Sequence, residues 1–236
     1  MIKSAWRALA CLMLAGLAAC GTLPEIPFDH VANPGIKKIG LLQPQMDSTP
    51  NVILASDVGQ SFGLIGALVD ASMLANRNKS FAALLAAQGV KPDAVFLDDV
   101  KAALGAHGYA VSDTPTTRSG SGLLKDYPKG GDVDAYLDVA VFNYGYIAAG
   151  IAKSNPYRPF VNVRCRLVRA SDSAVLMEDS IIYNPIGAPQ KTVTLSPDPA
   201  YAFADFDTLT ADPALAVKGL DAALTGTATA IGTLVQ

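Results

Sequence analysis

Three stretches in the second half of the chain alternate with a period of two: DAYLDVAVFNYGYIA from Asp134, RPFVNVRCRLVRAS from Arg158 and AVLMEDSIIYN from Ala174. Successive side chains of a strand point to opposite faces, so alternation over this length demands a sheet with a buried face. In the first stretch Leu137, Val139 and Val141 fall on one face, and Tyr136, Phe142, Tyr144 and Tyr146 on the other. In the second, Val161, Val163, Cys165 and Leu167 point inward while Arg164 and Arg166 point outward. Ala170 to Ser173 reads as a tight turn into the third stretch, where Glu178 and Asp179 lie within cross-strand reach of those arginines.

Around this antiparallel unit the remaining signals are mixed. KKIGLLQP, Lys37 to Pro44, reads as a first strand stopped by proline, and Tyr109 to Val111 enters another. Lys79 to Gln88 has helical spacing and stops at Gly89. Pro92 opens a second helix that closes near Gly105 or Gly108. SDTPTTRSGSG is a polar loop, and residues 196–213 form a long connection rich in proline and acid. Asp212-Pro213 then starts a terminal helix with Leu220, Leu224, Ile231 and Leu234 on one stripe. This order predicts an α+β fold, a mixed or antiparallel sheet with helices packed on one face.

Residues 51–78 read as a glycine-rich helical insertion. Gly59, Gly63 and Gly66 sit among Phe62, Leu64, Ile65, Leu68 and Val69. Asp57 and Asp70 make this segment too short and too charged to span a bilayer. It reads either as a helix or hairpin packed on its own domain or as an element touching membrane or partner. Phe62, Leu64, Ile65 and Leu68 are the candidate contact residues, with Tyr144 and Tyr146 from the first long strand, whose aromatic side reads either as the face where a helix packs on the sheet or as a recognition surface.

The amino terminus carries an address. Met1 to Arg7 holds Lys3 and Arg7 and no acid, and Ala8 to Ala19 is an apolar run shorter than a membrane span. Leu17-Ala18-Ala19-Cys20 resembles the bacterial lipobox, which implies diacylglycerol on the Cys20 sulfur and cleavage before it. The resemblance divides the chain into a signal peptide at 1–19, a lipidated tether at 20–35 and a single domain at 36–236. Gly21 stands where a retention aspartate would be, which implies the outer membrane with the domain facing the periplasm.

Chemistry is sparse. The 236-residue chain has a net charge of −3, and without the leader it is more acidic, which does not fit nucleic-acid binding. Cys11 lies in the leader and Cys20 is the lipidation candidate, leaving Cys165 without a disulfide partner, on a core-facing strand position. His30 lies in the tether and His107 at a helix end, so metal sites and Ser/His triads lack material. Asp98 and Asp99 are adjacent on a helix and diverge. SGSGLLK, from Ser119, has no strand–elbow–helix context and no phosphate-loop pattern. No catalytic residue, metal or cofactor is expected.

The lipobox, KKIGLL, GAHGYAV, DAYLDVAVFNYGY, VNVRCRLVRASDSAVL and the terminal helix together resemble periplasmic lipoproteins with a TolB amino-terminal-like fold. Curli secretion-channel lipoproteins and penicillin-binding-protein activator lipoproteins share that shape. The resemblance implies a non-enzymatic, lipid-anchored accessory protein that binds a protein or envelope partner. The alternative is an oligomeric component of an envelope secretion or transport assembly, with residues 59–75 touching membrane or neighbouring subunits.

Overall fold

The computed structural model describes residues 23–55, 63–150, 154–186 and 188–236, with backbone alone for 63–70. Its spine is β5 (Ala135–Ala148), the longest strand. One edge of β5 pairs antiparallel with β6 (Arg158–Arg169), and β6 pairs antiparallel with β7 (Val175–Tyr183). The other edge is covered in three pieces, all parallel to it. These are β1 (Lys38–Leu42), β2 (Gln45–Met46) and β3 (Asn51–Leu54). Pro44 and Pro50 stand between the pieces, where a missing N–H cannot serve the ladder. β4 (Ala110–Thr114) pairs with β1, and β8 (Val193–Leu195) with β7, giving the order β4-β1-β5-β6-β7-β8.

The helices pack on one face, so the architecture is α+β. α1 (Gly63–Ala87) reaches β3 and buries Phe81 and Leu85. α2 (Pro92–Ala106) has Pro92 in its first turn and buries Phe96, Val100 and Leu104 at four-residue spacing. The short α3 (Phe206–Ala211) starts with a capping box between Asp205 and Thr208. α4 (Pro213–Leu234) lies against β6, β7 and α2. Its Asp212 carboxylate accepts from the Leu215 N–H at 3.1 Å. A Cβ at Gly219 would overlap the Tyr146 hydroxyl, so glycine there lets α4 lie close to the sheet.

The structure departs from the sequence expectations in four places. Residues 51–78 are not helical throughout: 51–54 form β3, and the glycine-rich helix from Gly63 runs unbroken through the segment expected to start at Lys79. The 196–213 connection contains α3 and a 3-10 turn at Pro199–Tyr201. The described part of the expected tether is folded onto the domain. Ile26 pairs antiparallel with Glu178 of β7 through hydrogen bonds of 2.7 and 2.9 Å, and Asn33 accepts from Arg169 at 2.7 Å. Phe28 packs on the core, an apolar signal the prolines of this segment mask.

The fourth departure is the phase of β5. Val141 faces Val163 but Asn143 faces Asn162, so Phe142 is an extra residue in a β-bulge. The bulge inverts the alternation. Leu137, Val139 and Val141 are buried on the helix side, and after the bulge Tyr144 and Tyr146 join that same core. Their expected role as contact residues is therefore corrected, since they are 2% and 0% exposed. Tyr146 donates to the Ala216 carbonyl at 2.8 Å and packs edge-on to Phe81 and Phe203.

Gly145, just past the bulge, has φ of +133°, and a Cβ there would overlap the main chain of Asn51 in β3. Gly145→Ala is expected to cost roughly 2–4 kcal/mol in a urea unfolding titration. Gly105→Ala, with nothing within 4 Å of the added carbon, is expected to stabilise by up to about 1 kcal/mol.

Candidate functional site

The face of the sheet opposite the helices carries charge. Asp138 of β5, Arg166 of β6 and Glu178 of β7 stand directly opposite one another, a row of negative, positive, negative across three strands. This is the pairing anticipated for Glu178. Arg166 Nε meets Glu178 Oε2 at 2.7 Å, and Arg164 donates to Oε1 at 2.5 Å. Asp179, one residue on, shares the core face with its partner Cys165, and its carboxylate accepts from the Ser180 N–H instead.

The polar loop after β4 folds back over this row. Arg118, with its side chain 8% exposed, contacts the fully buried Asp138 at 2.6 Å. The other Asp138 oxygen accepts from the Leu124 N–H at 2.6 Å and from the Tyr127 hydroxyl at 3.0 Å. Arg118 also donates to the Gln43 carbonyl, and Arg166 to the Tyr127 hydroxyl. Leu124, Tyr127 and Val133 pack on Leu42, Tyr136 and Ala170 as a small second core. A cavity of about 520 Å³ lies within the loop, lined by Thr117, Arg118, Ser119, Leu124 and Lys125 among others.

These contacts set the protonation of the site. Burial pushes the Glu178 carboxyl up, but the guanidinium groups of Arg166 and Arg164 outweigh it and hold the group below its ordinary value. Burial raises Asp179, with no cation to offset it, and raises the Tyr127 hydroxyl and the Cys165 thiol as well. Both oxygens of Asp138 and of Glu178 accept hydrogen bonds. The row and its loop form a rigid polar platform.

The other sequence candidates do not converge on it. Cys20 and Phe62 lie outside the described residues, and of Leu64, Ile65 and Leu68 the structure gives only their place near the start of α1. Met73 and Leu74, two turns on, are 45% and 37% exposed. His30 stacks against Phe28, and His107 follows the last turn of α2. Asp98 contacts Lys101, while Asp99 accepts from Thr225 of α4, so the adjacent carboxylates serve different partners. Among the described residues, no group of three or more His, Cys, Asp or Glu is placed to hold a metal ion, and no helix is long and apolar enough to cross a membrane. The Arg118–Asp138 contact was missed because the alternation of β5 marks Asp138 only as outward, and nothing local to Arg118 names its partner.

No family model matches the chain, and no curated protein matches it. A solved structure of protein XCC0632 from Xanthomonas campestris, assigned to family DUF330, is 13% identical. It covers 91% of this chain and 92% of that one with a TM-score of 0.40, a likeness too distant to carry an argument.

Arg118→Leu leaves the Asp138 carboxylate buried without its cation and is expected to lower stability by about 3–5 kcal/mol, read by urea denaturation. Glu178, with its folded value depressed, contributes stability above about pH 4.5 that is lost as pH falls through the folded value. Asp179, with its folded value raised, works in the opposite sense above its ordinary 3.8. Unfolding titrations between pH 7 and 3 are expected to show a flatter acid limb for Glu178→Gln and a steeper one for Asp179→Asn.

Proposed function

We propose that the protein is a non-enzymatic, lipid-anchored accessory protein of the outer membrane that faces the periplasm and binds a protein or envelope partner. The observation that carries this reading is the join between leader and fold. Leu17 to Cys20 has the form of a lipobox, and only six residues later Ile26 is hydrogen-bonded into the sheet edge. Two or three acyl chains on Cys20 would hold the domain stably at a membrane, where one is marginal. The TolB amino-terminal-like resemblance supports the same class. The committed carboxylates of the charged row fit a binding module better than a catalyst. The fixed 115–134 loop is the surface we assign to the partner, because its main chain is held by Asp138 and Arg166 before any partner arrives.

A second reading is an oligomeric component of a secretion or transport assembly. The exposed Met73 and Leu74 on α1 favour it; on this reading residues 59–75 contact membrane or a neighbouring subunit.

Labelling cells with an alkyne palmitate analogue tests the first reading. Label and membrane fractionation are expected in the wild type, with label lost in Cys20→Ser. Absence of label in the wild type, or its persistence in that variant, overturns the reading. Light scattering of the wild type and of Met73→Lys separates the two: a monomer in both sinks the assembly reading, and a ring-sized oligomer that collapses on substitution makes it the better one.

A further inference from the structure

A second cluster of polar groups lies at the far end of β7, away from the charged row. The chain leaves β7 through Asn184, which has φ of 64° and is 9% exposed. Its side-chain Nδ2 is buried and has no hydrogen-bond partner among the described residues. Close by, Arg158 opens β6 with its buried Nε equally unpartnered, and among the described residues it forms no ion pair. Both side chains line one cavity of about 180 Å³, together with Ser154 and Asn155. One water needs only roughly 10–15 Å³ of such space. Among the described residues, no carboxylate lines the cavity.

Buried polar groups in folded proteins are almost always hydrogen-bonded, and each exception calls for a reason. Here two orphan N–H donors, one on a guanidinium, share a cavity without an anionic acceptor. The complement is an oxyanion, since charge-assisted bonds from guanidinium to phosphate or carboxylate are the strong ones. Residues bearing N–H or O–H groups line the cavity from the start of β6, from the end of β7 and at 154–155. Convergence from three elements suits the several oxygens of a phosphate group better than the plane of a carboxylate.

The path of the amino terminus indicates where such a group would come from. Ile26 pairs antiparallel with Glu178, so the chain running back from Ile26 toward the amino terminus heads along β7 in the direction of Asn184. Glu25 lies 3.9 Å from Lys191, two residues before the start of β8 on that side. Ile26 is the sixth residue after Cys20, a reach of at most about 20 Å. The six residues from Glu178 to Asn184 cover about the same length of strand. An anchor at Cys20 would therefore bring the cavity end of the sheet to the membrane surface.

We propose that the Arg158–Asn184 cavity binds a phosphate group, and that the group is the headgroup phosphate of a lipid in the membrane to which the chain is fastened. The choice of lipid over free phosphate rests on the proposed acylation of Cys20; the donor geometry of the cavity does not.

The test follows the Arg158 Nε–H and Asn184 side-chain amide signals by NMR, with the full chain in maltoside micelles. The probes are sodium phosphate and short-chain phosphatidylglycerol. Saturable shifts with both are expected, with the phospholipid acting at a concentration at least tenfold lower. Arg158→Gln and Asn184→Asp are each expected to weaken both by tenfold or more while thermal unfolding stays close to that of the wild type. The two variants alter different elements, so the assignment stands or falls even where one fails to fold. Saturation by phosphate with no advantage for the phospholipid overturns the lipid source. Lack of a saturable shift with either probe, or shifts that survive both substitutions, overturns the site. Absence of palmitate label on Cys20 with phospholipid binding intact would remove the tether reading and leave the cavity assignment in place.

Discussion

The structure depends on the pairing of β5. Its 14 residues carry hydrogen-bonding groups along two edges, and a buried strand cannot leave those groups unmet. One edge is satisfied by a single long partner, β6. The other is satisfied by β1, β2 and β3 in succession, so the amino-terminal segment runs along β5 before the chain turns into helix. The helices cover the face this arrangement makes apolar. α4 can approach closely because glycine at position 219 leaves room for the Tyr146 ring and hydroxyl beneath it.

The two faces of the sheet are held by different physics. On the helix face, close-packed apolar and aromatic side chains exclude water without strict directionality. On the opposite face, cover comes from a loop whose own apolar cluster is small. There the chain is positioned by directional bonds to Asp138 and Arg166. Removing charges from water is costly, and these ions recover the cost only because nearly all their hydrogen-bonding atoms find partners. Such a network defines one arrangement of the loop more sharply than apolar contact would.

How much could be read beforehand follows from the range of each interaction. Alternation marks strands, and a proline in the first turn marks a helix start, so β5, β6, β7, α2 and α4 were legible from neighbours in sequence. The bulge at Phe142 was not, because one extra residue leaves the pattern of apolar letters intact while reversing the face they occupy. That single residue puts Tyr144 and Tyr146 in the same core as Leu137, Val139 and Val141, which decides between the two readings of their face. Arg164, Arg166 and Glu178 were legible because a tight turn fixes their register. Arg118 and Asp138 meet through a loop of 19 intervening residues, whose path no local propensity dictates. The orphan donors of Arg158 and Asn184 were invisible for the same reason: being unpartnered is a property of the folded surroundings.

The pairing of Ile26 with Glu178 also has a mechanical side. Its two hydrogen bonds lie across the strand direction, as in any antiparallel pair. A pull on the amino terminus runs along the strand, so it loads both bonds together in shear and does not peel them apart one at a time. The load passes into β7 and from there through the ladders of β6 and β5, the most extensively paired part of the molecule. Under the proposed acylation of Cys20, a pull between domain and membrane would be borne by this shear-loaded pair.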